Sequence, residues 1–289
     1  MKRLLILSGK GGTGKTTTAA AFIRFAQARA IADCDVDAPN LHLVTDPSGE
    51  PETTDFLGGD KAVIDATKCV GCGLCHAHCR FDAIDEHDGV YAVNEYACAR
   101  WTASCAHVCP QDAVHLAQDV AGYRSLYTGE RTFSTATLKM GRGNSGKLVT
   151  DVKLAMLRSA PDDAALAIID GSPGIGCPVI ASVSGMDLVL VVAEPSQSGL
   201  SDLKRLVETA KTFEAALAVC VNKWDISVES TKAIRAFCCA EDIPFLGVIP
   251  YDPSASAAIN AGLSLADVDC PARDALHNIF DEACTLLEL

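Results

Sequence analysis

Apolar residues recur along this chain in short runs, each followed by a turn rich in glycine or acids and then by a stretch of three-and-four spacing. Residues 4–7, 29–32, 166–169, 188–193, 217–221 and 245–249 are such runs. Runs this short, bounded by turn formers, predict strands buried on both faces. Between them, residues 16–28 carry Ala19, Phe22, Ile23 and Ala26 at helical spacing, and residues 152–158, 198–213 and 273–289 also predict helices. Strands alternating with helices predict an α/β fold, a doubly wound and mostly parallel sheet. The alternation breaks after the second strand. Residues 46–60 turn to Pro, Gly, Thr and acids, which predicts a linker into an inserted module. Residues 122–149 mix alternation with turn formers and predict a hairpin-like return to the sheet. The expected division is therefore a main domain of 1–59 and 121–289 around an insert of 60–120.

The predicted strand ends are where the chemistry gathers, as expected of a parallel sheet, whose ligands bind beyond the strands' carboxyl ends. The first strand runs into SGKGGTGKTTT, which fits G-x-x-x-x-G-K-[ST] from Gly9 to Thr16. Glycines let backbone N–H groups approach phosphate oxygens, and a helix start adds its own amides and dipole. Gly11, Gly12, Thr13, Gly14, Lys15, Thr16 and Thr17 are the expected phosphate cradle, with Lys15 on the β- and γ-phosphates and Thr16 on Mg²⁺. The second strand ends in DCDVDAPNL, placing Asp33, Asp35 and Asp37 at alternate positions. Three acids beside a phosphate loop repel one another and the nucleotide unless a cation such as Mg²⁺ sits among them. Asp170 ends another buried strand, the Walker B position for a magnesium-bound water.

Lys10, an additional lysine early in the loop, gives KGGTGKTT, which resembles the deviant P-loop of the MinD/ParA group of ATPases, including the Mrp-type carriers and the nitrogenase iron protein. That resemblance covers nearly the whole chain. It implies a face-to-face dimer, with itself or with a paralogue, in which Lys10 reaches the partner's nucleotide. It also implies that Asp35 orients the attacking water with Asp33 near the metal, and that Gly174 offers its amide to the γ-phosphate. Asn222 would read adenine, with Lys223 beside it and Pro250 bordering the base. Asn222-Lys223-Trp-Asp225 also fits the NKxD of guanine-binding relatives, which keeps GTP open.

Cysteine content changes the picture of the insert. Of 14 cysteines, seven fall between Cys69 and Cys109, and Cys69-x-x-Cys72-x-x-Cys75-x-x-x-Cys79 is the bacterial ferredoxin spacing. About thirty residues on, Cys105-Ala-His-Val-Cys109 repeats Cys75-His-Ala-His-Cys79. This resembles a two-cluster ferredoxin, an α+β module in which the last cysteine of each run serves the other cluster. It implies one [4Fe–4S] cluster on Cys69, Cys72, Cys75 and Cys109. The second site can claim Cys79, Cys98 and Cys105, because Ala99 and Thr102 stand where the missing ligands should be. Three thiolates suit a [3Fe–4S] centre, or a [4Fe–4S] centre with another fourth ligand; an empty, degenerate site is the alternative. His76, His78 and His107 read as surface or packing residues, and Cys177, Cys238 and Cys239 as packing thiols.

A formal charge of −13 disfavours unspecific binding to nucleic acid or an anionic membrane, and the final helix lacks the basic amphipathic character of a membrane anchor. No apolar stretch is long enough to span a bilayer, so a cytoplasmic protein is expected. The expected function is an ATP-hydrolysing iron–sulfur protein that couples nucleotide state to electron transfer, or to metal-centre assembly, on a redox or metalloprotein partner. A cluster carrier and a spatial-positioning ATPase are the other two readings. The basic stretch with Arg124, Arg131, Lys139, Arg142 and Lys147 is either a contact surface or a solvated face.

Overall fold

The computed structural model describes residues 1–98 and 104–289. Its strands are β1 (Lys2–Leu7), β2 (Ala30–Asp33), β3 (Glu52–Ile64), β4 (Ile84–His87), β5 (Val90–Val93), β6 (Val114–Tyr127), β7 (Thr132–Leu138), β8 (Leu166–Asp170), β9 (Leu188–Ala193), β10 (Ala216–Asn222) and β11 (Phe245–Ile249). The chain divides into two compact units. The first holds Met1–Thr54, Arg124–Thr137 and Ser145–Leu289; the second holds Asp55–Tyr123 and Leu138–Asn144.

In the first unit the strand order is β11-β10-β9-β1-β8-β2-β7, with the ends of β6 and β3 following. The pairings from β11 through to β7 are all parallel. Crossovers between parallel strands need helices, and these cover the sheet. On one side Lys15–Phe25 and Pro271–Leu287 meet through Phe22 and Phe280, edge to face at 5.1 Å. β8 and β9 are buried at every residue, which is why they read as unbroken apolar runs. Helix starts are set by local caps: Ser196 accepts from the Gly199 amide, Ser227 from that of Ser230 and Asp252 from that of Ser254.

Two stretches differ from their sequence reading. Of residues 46–60, expected as linker, 52–60 belong to the long strand β3, because strand pairing outweighs the low β-propensity of Gly58, Gly59 and Asp60. The return from 122 holds β6 and β7 as sheet neighbours, but the helix expected at 152–158 already starts at Ser145 and runs to Ser159.

The second unit is built on two short helices, Leu74–Ala77 and Ser104–His107, and an antiparallel β4–β5 hairpin turning at Asp88-Gly89. Its core is small: Ala62, Cys75, Ile84, Cys105 and Val114, with Cys79, Cys98 and Cys109 packed against it. This unit contains the expected insert 60–120, and takes in the segment Leu138–Asn144 as well. Arg142 ties that segment down through Glu95, at 2.6 Å, and Asp119, at 3.0 Å.

Candidate functional site

The phosphate loop folds as it does because Gly12 and Gly14 both take left-handed backbone, with φ of 80° and 95°. Any side chain at Gly14 would collide with the Asn222 amide, which donates to the Thr13 carbonyl at 2.7 Å. Lys223, itself left-handed at φ 55°, sends Nζ to the Gly12 carbonyl at 3.4 Å. The NKxD segment thus buttresses the loop from below. Its last member, Asp225, accepts the Tyr251 amide at 2.8 Å.

Lys15 is buried, and its ammonium meets Asp170 at 2.6 Å and Asp35 at 3.6 Å. Burial pushes its pKa down, but the Asp170 carboxylate outweighs this and holds the group protonated. Thr16 donates its hydroxyl to the other Asp170 oxygen at 2.6 Å. Lys15, Thr16, Asp35 and Asp170 therefore come together at one point of the fold. Asp33 is fully buried and used differently from a freely presented carboxylate. One oxygen accepts the Asn40 and Leu41 amides at 3.1 and 3.0 Å, and the other accepts that of Asp35 at 3.1 Å, which shapes the loop 34–41. Burial, then the neighbouring Asp170 charge, raise its pKa to about 7. Asp35 is also shifted upward, by burial first. Two further positions are engaged within the chain. The Gly174 amide donates to the Ser8 carbonyl at 3.0 Å, and Lys10 pairs with Glu194 and reaches Ser198 at 3.3 Å.

Of these residues, Lys15, Thr16 and Asp35 open onto one cavity of 710 Å³, while Asp33, Asp170, Gly174 and Lys10 stand behind its lining. Gly11, Gly12, Gly14 and Lys15 through Thr18 line one part, Asp35 and Asp37 another, and Asn222, Lys223, Pro250 and Tyr251 a third. An apolar lobe of Leu43, Val44, Ile259 and Leu263 completes it. The volume is that of a site for a nucleotide-sized ligand.

In the second unit, Cys69, Cys72, Cys75 and Cys109 line a single cleft whose other walls include Ile64, Val70, Ala113 and Val114. Gly71 shapes the loop: its φ is 67°, and a Cβ there would strike the Gly89 carbonyl. The two halves of the unit match bond for bond. Cys79 Sγ accepts the Ala83 amide at 3.4 Å and Cys109 Sγ that of Ala113 at 3.3 Å. Asp82 and Asp112 are left-handed at φ 46° and 47°. The Asp65 amide donates to the Ala113 carbonyl, and that of Asn94 to the Ala83 carbonyl, both at 2.8 Å. The Cys69 amide donates to the Asp65 carbonyl at 3.0 Å and that of Cys98 to the Asn94 carbonyl at 3.1 Å. Cys98 is thus the structural counterpart of Cys69, although counting back from Cys105 places it one residue early. The extra residue lies between Cys98 and Ser104. Ala99 and Thr102 fall outside the described residues.

Burial raises the Cys75 and Cys105 thiols; charges on Cys69 and Cys72 would add to the first, and on Cys98 and Cys79 to the second. Cys109 also feels burial, but the Gln111, Ala113 and Val114 amides pull its thiol below the ordinary value. His76 and His78 direct Nδ1 to the carbonyls of Ile84 and Leu74, at 2.5 and 2.9 Å. Among the described residues, no three His, Cys, Asp or Glu side chains close on one point as the ligands of a single ion.

Sequence reasoning missed the interlock of Asp33 with the loop 34–41, the Glu194 partner of Lys10 and a buried lysine, Lys153. None carries a motif: the Lys10 pair depends on β1 and β9 being neighbours, Lys153 on the packing of two helices, and the Asp33 interlock on how the loop folds back on its own strand end.

A strand, a glycine loop and a helix carrying Lys15 and Thr16 against a buried strand-end carboxylate define a P-loop nucleotide-binding protein. Residues 4–265 match the model of the CobQ/CobB/MinD/ParA nucleotide-binding domain, and the chain belongs to that family, whose MinD and ParA members are ATPases. An uncharacterized protein of Methanocaldococcus jannaschii is 34% identical over 226 residues, covering 76% of this chain and 78% of its own. An uncharacterized ATP-binding protein of the same organism is 26% identical over 284 residues, 96% of this chain and 85% of its own. Among solved structures, Cyanothece McdA(D38A) with ATP superposes with a TM-score of 0.59 at 20% identity, covering 100% and 97% of the two chains. Pyrococcus horikoshii MinD with Mg-ADP gives 0.58 at 17% identity, covering 99% and 96%. These two likenesses establish the fold. Among the described residues, no helix is long and apolar enough to cross a membrane.

Proposed function

We propose that this chain binds and hydrolyses Mg-ATP, and that its second unit holds an iron–sulfur centre whose behaviour follows the nucleotide state. The cleft lined by Cys69, Cys72, Cys75 and Cys109 carries the reading. Four soft sulfur donors in an otherwise mainly apolar wall suit an iron–sulfur cluster, and the ferredoxin spacing favours it over a four-thiolate zinc site. Cys79, Cys98 and Cys105 would serve a second, three-thiolate centre.

In the ATPase, Lys15 and the amides of Gly12 to Thr17 would bind the phosphates, and Thr16 with Asp170 would hold Mg²⁺, which supplies charge neutralisation on the phosphate oxygens. Asp170, held here by Lys15 and Thr16, is the carboxylate that would serve the cation once a phosphate took over Lys15. Asp35, 3.6 Å from the ammonium, then faces the γ-phosphate as the residue that positions water. Asn222 holds the loop and lies beside the base, and Lys10 acts across a dimer once it leaves Glu194. The bound cluster supplies one-electron chemistry. The chain's part is to shield it with Ile64, Val70 and Val114 and to hold the Cys109 sulfur with the Ala113 amide.

Anaerobic purification with iron and sulfide counts tests this, together with paramagnetic resonance with and without nucleotide. About four irons per chain, or seven to eight with the second site filled, are expected. A protein with fewer than about one iron per chain after reconstitution, yet full ATP turnover, would remove the iron–sulfur part. The MinD-like fold favours a second reading, ATP-dependent spatial positioning. ATP-dependent binding to liposomes or DNA would support it, against a charge of −13.

A further inference from the structure

The helices Ser145–Ser159 and Cys177–Val183 are fastened to each other at two points. At one, Gly146 lies so close to Cys177 that a Cβ would stand 3.1 Å from its carbonyl oxygen and 3.3 Å from its Cβ. At the other, the buried Lys153 ammonium donates to the carbonyls of Ala181, Ser182 and Ser184 at 2.6, 2.9 and 2.6 Å. Carbonyls that end a helix have no partner inside it, and a cation there also meets the negative end of the dipole. Gly146 and Lys153 are seven residues apart, two turns along one face, or about 10 Å. The short helix offers its two ends at a matching interval.

Each helix continues directly from a segment of interest. Cys177 follows the loop 170–176, which carries Asp170 and Gly174. Ser145 follows Leu138–Asn144, which belongs to the second unit. Within that unit, Arg142 is bound to Glu95, three residues before Cys98, and Asn144 to the Gly58 carbonyl. The Gly174 amide is taken by Ser8 here, so a phosphate that claims it must displace the loop. A seven-residue helix clamped at both ends cannot absorb that displacement by bending.

We propose that helix Ser145–Ser159 is a lever that carries movement of the loop 170–176 into the segment Leu138–Asn144, with Gly146 and Lys153 as the positioning residues that lock it to helix Cys177–Val183. This rests on the ATPase reading above. It is a route distinct from the covalent attachment after the acidic loop 33–41.

Hydrogen exchange on the iron-loaded, full-length protein, compared between Mg-ADP and a non-hydrolysable Mg-ATP analogue, tests it. In the unaltered protein, exchange within residues 138–144 is expected to differ about tenfold between the two states. In Lys153→Met and in Gly146→Val the difference should fall below about twofold, with nucleotide affinity held within about threefold. Lys153→Arg, which keeps a donor for the carbonyls, should restore it. No difference in the unaltered protein, or an undiminished one in both variants, overturns the lever. Should Lys153→Met fail to fold on melting, Gly146→Val decides alone. Iron content is measured on the same samples. Full iron and normal nucleotide binding with no exchange difference removes this inference only, failure to bind nucleotide removes the ATPase reading with it, and a difference without iron removes only the iron–sulfur reading.

Discussion

The nucleotide cavity and the cysteine cleft both gather reactive groups, but they are stabilised differently. In the cavity, the charges neutralise one another: Lys15 sits between Asp170 and Asp35, Thr16 satisfies the second Asp170 oxygen, and three backbone amides satisfy Asp33. Its pieces also rest on a large parallel sheet whose central strands are wholly buried. In the second unit, two of the five core residues are themselves cysteines, and three more cysteines pack against them. A core this small gives a unit little stability of its own, so the proposed cluster, when bound, would supply folding energy here. The first region binds its ligand to work; the second, on this reading, binds its ligand to exist.

The sharpest way to break that comparison is to remove the second unit's ligand set. Cys75→Ser, or iron removal by a chelator, should unfold residues 55–123. The expected loss is on the order of 10 kcal/mol of metal-linked folding energy, while ATP binding by the first unit stays intact. Limited proteolysis beside a nucleotide-binding assay checks it. If the second unit kept its protection without iron, the contrast would collapse.

The next largest effect concerns the first region. Lys15→Met should abolish nucleotide binding and cost the empty protein about 3–5 kcal/mol, because it strands the buried Asp170 charge. Denaturant unfolding measures this. Adding Asp170→Asn should recover most of the loss.

The smallest expected effect is on pH dependence. Asp33, at about 7 in the fold against 3.8 unfolded, binds its proton more tightly in the native state. Its contribution to stability is fully present below about pH 4 and is lost as pH rises through 7. Nucleotide-free protein should therefore lose about 2 kcal/mol between pH 5 and 8. Saturating Mg-ADP should flatten the trend, since the cation offsets the same carboxylates. Melting curves at both pH values, with and without Mg-ADP, decide it, and a flat curve without ligand would refute the assignment.

Much of this protein was legible in one dimension. Buried parallel strands read as apolar runs, the phosphate loop is a local pattern set by spacing, and Asp170 at a strand end and the Cys69–Cys79 spacing are visible as candidates in the chain. Those features follow from backbone geometry within a few residues, so the sequence determines them. Strand order, the pairing of Lys15 with a carboxylate 155 residues away, and the gathering of Cys109 with Cys69, Cys72 and Cys75 depend on which distant segments become neighbours. The equivalence of Cys98 with Cys69 depends on a backbone bond to Asn94 that a count of residues cannot see. Lys153 shows the limit most clearly. A lysine in an amphipathic helix reads as solvated, and only the packing of helix Cys177–Val183 against it turns that ammonium inward to three carbonyls.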